Sequence, residues 1–257
     1  MRHADCMVHG DSEVNNWFMS DIINDDGLSL QKSRRKTIVT GHYGSGKTEF
    51  SVSLAMLLAG QRTGKLAVID LDIVNPYFRS RECRKILEDA GVGVYGSIYK
   101  TEITAELPAL AAGARAPLED KNCRVIVDAG GNDSGAIVLN QFSKYFTDDE
   151  TTMLAVVNMS RPDTSTLNGA IEHIRSIEVV TGLTVNGIVN NCHLLRETTA
   201  DIIIKGHAFC IRVCEEMQKK LYCNCYPEEI VNPNDLAGLS GSLMPLGLHM
   251  RPTWLDK

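Results

Sequence analysis

The 257-residue chain has no apolar run near the roughly 20 residues needed to span a bilayer. Its opening stretch, MRHADCMVHGDSEVNNWF, has no apolar centre of the kind a leader segment needs. Positive charge is not in excess: 26 Lys and Arg face 32 Asp and Glu, a net charge of −6. That balance argues against a nucleic-acid binder working through overall charge and leaves a local basic patch open. The eight cysteines, at 6, 83, 123, 192, 210, 214, 223 and 225, contain no C-x-x-C pair. A chain of this size buries core enough to do without disulfide staples. No internal repeat is visible, and no linker divides 37–257. Together these absences point to a soluble, reduced, cytoplasmic protein.

What is present is a composition of 44% hydrophobic and 23% charged residues, that of an ordinary globular domain. Residues 1–36 stand apart. Up to Gln31 they carry acids with one base, then KSRRK, with little periodicity, and read as a loosely ordered N-terminal arm. From 37 to 257 one domain is expected. Short apolar runs (TIVTG, KLAVIDLD, VGVYGS, RVIVDAGG, TMLAVVN, VNGIVNN) alternate with helical stretches at 47–59, 79–90 and 198–221. SRPD at 160–163 reads as a capping box opening another helix that Gly182 stops. RVIVD and MLAVVN are continuously apolar, as parallel strands covered on both faces require. The repeated strand–helix–strand order predicts an α/β three-layer sandwich with a mostly parallel sheet.

Four motifs carry chemistry. GHYGSGKT, 41–48, fits G-x-x-x-x-G-K-[ST], follows an apolar strand and opens the helix FSVSLAMLLA, read as amphipathic. Gly41, Gly44 and Gly46, with Ser45, let backbone N–H groups converge on a phosphate. Lys47 adds a point charge for the outer phosphate oxygens, Thr48 a hydroxyl for Mg²⁺, and the helix its positive end. VIDLDIVNPYF, 68–78, sends Asp70 and Asp72 off a strand end, where open α/β sheets bind ligands. Asp72 is the candidate to orient an attacking water; Asp70 supports Mg²⁺ or the loop. RVIVDAGG ends in Asp128, a metal-side carboxylate, and DAGG fits D-x-x-G. VNGIVNNCHL ends a strand on Asn190 and Asn191, whose amides suit a purine edge as well as they suit a turn. No N-K-x-D occurs, which favours adenine over guanine.

In this order the motifs resemble the ParA/MinD/CobQ/CobB-type P-loop nucleotide-binding proteins, over about 37–232. The resemblance implies the P-loop NTPase fold, ATP and Mg²⁺ as ligands and a homodimer. It gives Asp72 to the hydrolytic water, Asp128 to the metal's water shell, and Asn191 rather than Asn190 to adenine. The stretches VIDLDIVNPYFRSRE and MRPTWL look like those of a subgroup of uncharacterised bacterial ATPases. One position departs: many members carry a lysine that reaches a partner's nucleotide where His42 stands, followed by glycine where Tyr43 stands. Arg79, Arg81 or Arg161 could supply that cation. The function implied is an ATPase acting as a switch or assembly factor with an unknown protein partner. The alternatives are a nucleotide-gated binding module with little hydrolysis, a metal-carrier GTPase, and an ATP-dependent small-molecule ligase. A metal site would draw on Cys192, Cys210, Cys214, Cys223 and Cys225, but C-x-C beside Pro227 is poor ligand spacing and free cysteine is usually buried.

Overall fold

β-branched and apolar runs too short for helices form the strands β1 (Lys36–Thr40), β2 (Lys65–Asp70), β3 (Val92–Gly96), β4 (Cys123–Asp128), β5 (Thr151–Val157) and β6 (Gly187–Asn190). β7 (Lys220–Pro227) and β8 (Ser242–Leu246) complete one parallel sheet, ordered β3-β2-β4-β1-β5-β6-β7-β8. The computed structural model describes residues 34–61, 64–72, 84–96, 113–131, 133–147 and 149–249. Arm residues 1–33, the NPYF stretch with Arg79 and Arg81, the first part of the 79–90 helix, and RPTWL lie outside the described residues. At the arm's end, Arg35 donates to the carbonyls of Leu118, Asp120 and Cys123 and meets Glu150 at 3.1 Å, fastening the chain where β1 begins.

Alternate residues of β1, β2, β4 and β5 enter two separate cores, as the two-residue period dictates. Val39, Ile126, Leu154 and Val156 meet Phe50, Leu54 and Leu58 of α1 (Lys47–Gly60), and Leu87 of α2 (Arg84–Asp89) joins them. Ile38, Val125, Val127, Met153 and Val157 face the other way. There they pack on Val138 of α3 (Asp133–Asn140), Ile171 and Ile174 of α4 (Leu167–Thr181), and Val213 of α5 (Ala200–Met217). Helices on both faces of a parallel sheet make the three-layer α/β sandwich the sequence implies. Among the described residues no helix is long and apolar enough to cross a membrane.

Four elements depart from the sequence reading. α1 is buried round most of its circumference, Ser51 and Ser53 included, so it is a core helix rather than an amphipathic one. SRPD opens no α-helix: Pro162–Thr164 is a single 3-10 turn, and α4 starts after Thr166, whose hydroxyl accepts from Gly169 N–H at 3.1 Å. Gly182 does end α4, in the left-handed conformation at φ 67°. The expected helix to 221 stops at Met217, where Gln218 turns left-handed (φ 53°) and releases the chain into β7. β8 is a strand despite Pro245, because at the sheet's edge it pairs only with β7.

Candidate functional site

The carboxyl ends of β1, β2, β4, β5 and β6 converge on residues 41–48. Gly41, Gly44 and Gly46 have φ of 144°, 75° and 85°, and Ser45 N–H closes a turn on His42 C=O at 3.0 Å. Gly46 caps α1 with no side-chain acceptor, so the helix's first N–H groups face the loop's hollow. Glycine is required by close approach at Gly131 too: a Cβ there would run into the Gly41 carbonyl, so DAGG lies directly on the loop.

On one flank stand the carboxylates. β2 ends at Asp70, whose Oδ1 accepts the Asp72 N–H at 3.1 Å. Asp72 and Lys47 are both almost wholly buried, with Lys47 Nζ 3.8 Å from Asp72 Oδ2. Asp128, at the tip of β4, has no exposed surface. Its Oδ1 takes a 3.4 Å hydrogen bond from Ser51 Oγ, Thr48 also bonds it, and its buried Oδ2 has no hydrogen-bond partner among the described residues. Burial pushes Asp128 up to about 6, against the pull of Lys47 and the two hydroxyls; Asp72 adds to the rise. A buried carboxylate oxygen without a donor, next to a threonine hydroxyl and a phosphate loop, fits a hard cation such as Mg²⁺. Ser51 is a site residue that the motifs did not reveal. It lies one helical turn after Thr48, on the same face of α1.

On the other flank are residues from the ends of β5 and β6. Asn191 Nδ2 donates to Ser45 C=O at 2.7 Å, and a Cβ on Gly46 would strike that amide. Asn190 points elsewhere. Its Nδ2 donates to Ile203 C=O (3.1 Å) and Asn224 Oδ1 (2.9 Å), and its Oδ1 accepts from Cys192 N–H at 3.2 Å. Both its donors are thus spent inside the sheet–α5 network. His193 Nε2 would lie 3.3 Å from a Gly46 Cβ, and its Nδ1 accepts the Leu195 N–H at 3.3 Å. Burial and the nearby Arg161 lower His193 to about 4, so it is neutral at physiological pH. Arg161 Nε donates to Gly44 C=O at 2.8 Å, and His42 Nε2 pairs with Asp163 Oδ2 at 3.0 Å while its ring meets His173 edge-on at 5.1 Å. SRPD is therefore a brace for the loop's crest.

The thiols Cys123, Cys192, Cys210, Cys214, Cys223 and Cys225 are buried and free. Among the described residues no group of three or more His, Cys, Asp or Glu is arranged to hold a metal.

No family model and no curated protein matches this chain. Solved structures do share its fold. The cell division protein FtsY of Thermotoga maritima has a TM-score of 0.50 at 17% identity, covering 82% of this chain and 74% of that one. FtsY of Mycoplasma mycoides gives 0.49 at 14% identity, and this chain, 74% covered, spans only 59% of it. A nucleotide-binding protein of Archaeoglobus fulgidus, solved in complex with ADP, gives 0.47 at 14% identity over 72% of this chain and 80% of that one. The likeness to the Thermotoga protein shows the fold, an α/β P-loop NTPase fold.

Proposed function

We propose that this chain is a Mg²⁺-dependent nucleoside triphosphatase acting as a nucleotide-dependent switch or assembly factor, with ATP as its nucleotide. The observation that carries the reading is the buried set of Lys47, Thr48, Asp72 and Asp128 around the glycine loop. Backbone N–H groups of 41–48 and the start of α1 hold the phosphates. Thr48 and the unpartnered Asp128 oxygen, the latter directly or through water, would hold Mg²⁺, which neutralises charge on the phosphate oxygens. Asp70 braces the loop through Asp72 N–H.

The Lys47–Asp72 contact supplies the switch. Phosphate oxygens are stronger partners for the ammonium than a single carboxylate 3.8 Å away. When they draw Lys47 across, Asp72 is released to orient a water for attack on the terminal phosphate. Nucleotide arrival and the arming of Asp72 are thus one event, a basis for relaying the bound state to a protein partner or a second copy. Adenine is supported by the strand end after β6, where Asn191 is followed by Cys192, His193 and Leu194, with no carboxylate for the guanine amino group.

Calorimetric titration with ATP and GTP in Mg²⁺, alongside single-turnover hydrolysis, tests the reading. Wild type binds ATP, Lys47→Ala binds about 100-fold more weakly, and Asp72→Ala binds but does not turn over. A wild-type protein that binds neither nucleotide overturns the proposal. Tight binding of GTP alone overturns the adenine assignment.

A further inference from the structure

The sheet order places the two flanks of the loop on opposite sides of β1. Asp72 and Asp128 leave β2 and β4, whereas Arg161, Asn191 and His193 follow β5 and β6. These last three meet successive loop residues: Arg161 at Gly44, Asn191 at Ser45, His193 at Gly46. With phosphate and metal chemistry on the β2–β4 side, the β5–β6 side is left for the nucleoside end.

Arg161 is the charged member of that wall. Its Nε is fixed on Gly44 C=O at 2.8 Å, and a Cβ on Gly44 would sit 3.1–3.5 Å from Nε, Cδ and Cζ, so the glycine makes room for the guanidinium. Its two Nη groups make no hydrogen bond to the described residues. One edge of the fork is thus anchored and the other is presented beside the loop, a geometry suited to oxygen acceptors on an anionic ligand. His193 beside it is neutral, so of these two only Arg161 is a cation on this wall. His42, the loop's own second residue, is turned to Asp163 and His173 instead of outward.

We propose that Arg161 is a nucleotide-contacting residue acting within its own chain, its Nη groups binding ribose and inner-phosphate oxygens at the nucleoside end of the site. This rests on the nucleotide-binding reading above.

The test compares wild type with Arg161→Gln, Arg161→Lys and, as control, Lys47→Ala, using ADP and the non-hydrolysable ATP analogue AMP-PNP over a range of ionic strength. Arg161→Gln keeps a donor for Gly44 but loses the charge; Arg161→Lys keeps the charge but cannot both anchor and reach. Both variants weaken ADP and AMP-PNP alike, by about 10- to 100-fold, and Arg161→Gln shows a flatter dependence of affinity on salt. Unchanged affinity and salt dependence in Arg161→Gln, or full rescue by lysine, makes Arg161 a structural brace and overturns the proposal. Weakening of AMP-PNP alone places Arg161 at the terminal phosphate and also overturns it. Failure of wild type to bind, with Lys47→Ala no different, refutes the nucleotide reading instead.

Discussion

The two flanks of the phosphate loop bury ionisable groups with opposite outcomes. On the β4 side Asp128 is pushed up to about 6, and on the β6 side His193 is pushed down to about 4. One cause, loss of water around the charged form, drives both toward neutrality. The acid flank stores charge that a cation would relieve. The histidine flank carries a neutral imidazole and a single guanidinium. The nucleotide and metal proposed above are polarised in the same way, charged at one end and uncharged at the other, and would match that grading.

Asp128→Asn breaks that contrast with the largest expected effect. Folded Asp128 titrates near 6 against 3.8 in an unfolded chain, so at neutral pH its ionisation costs about 3 kcal/mol of stability. The folded state takes up its proton first as pH falls through that window, so this cost disappears toward pH 4. His193 works the other way: with a folded value of about 4 against 6.5, the unfolded chain binds the proton first and acid destabilises the fold. The two oppose each other between about pH 4 and 6. In urea melts without nucleotide, Asp128→Asn is stabilised at pH 7 and loses stability more steeply toward pH 4 than wild type. His193→Gln does the reverse and gains stability relative to wild type only in acid. Coincident pH profiles for all three would refute the opposition. Mg²⁺-dependent nucleotide binding in wild type weakens below about pH 6 as Asp128 protonates, and Asp128→Asn lacks that step.

The flanks also differ in how visible they are in the chain. The acid flank was legible because each part is a short run tied to one strand end: glycines before Lys47 and Thr48, D-L-D after β2, D-A-G-G after β4. Local spacing there is itself the chemistry. The parallel sheet was legible for a related reason, since strands such as RVIVD are apolar on both faces. The other flank depends on residues 117 and 146 positions from their loop partners. Nothing near SRPD says that Arg161 will reach Gly44, and its polar sequence imitates a helix cap. Nor could the doublet at the end of β6 be resolved locally. Only the position of α5 decides that Asn190 turns into the network with Asn224 while Asn191 turns to the loop. β7 was hidden by the apolar end of the preceding helix, and β8 by its proline.

A pair of substitutions sharpens the asparagine distinction. Asn190→Ala removes two donors and an acceptor from buried partners, at about 2–3 kcal/mol of stability, with nucleotide affinity nearly unchanged. Asn191→Ala removes one donor from the loop carbonyl of Ser45 and costs about 1–2 kcal/mol, with its main effect, roughly a tenfold loss, on nucleotide affinity. Thermal melts paired with titrations separate them. Equal losses in both measurements for both variants would mean that the doublet acts as one structural unit.

The smallest effect is expected at the loop's crest. His42 and Asp163 are 3.0 Å apart, with side chains 22% and 72% exposed, so solvent screens the pair and its coupling should not exceed about 1 kcal/mol even with His42 protonated. A double-mutant cycle of His42→Ala and Asp163→Ala reads that coupling directly. A coupling well above that would show instead that the 158–164 segment and the loop crest fold as one rigid unit. In that event the His42 ring's contact with His173, rather than charge, would hold His42 in place.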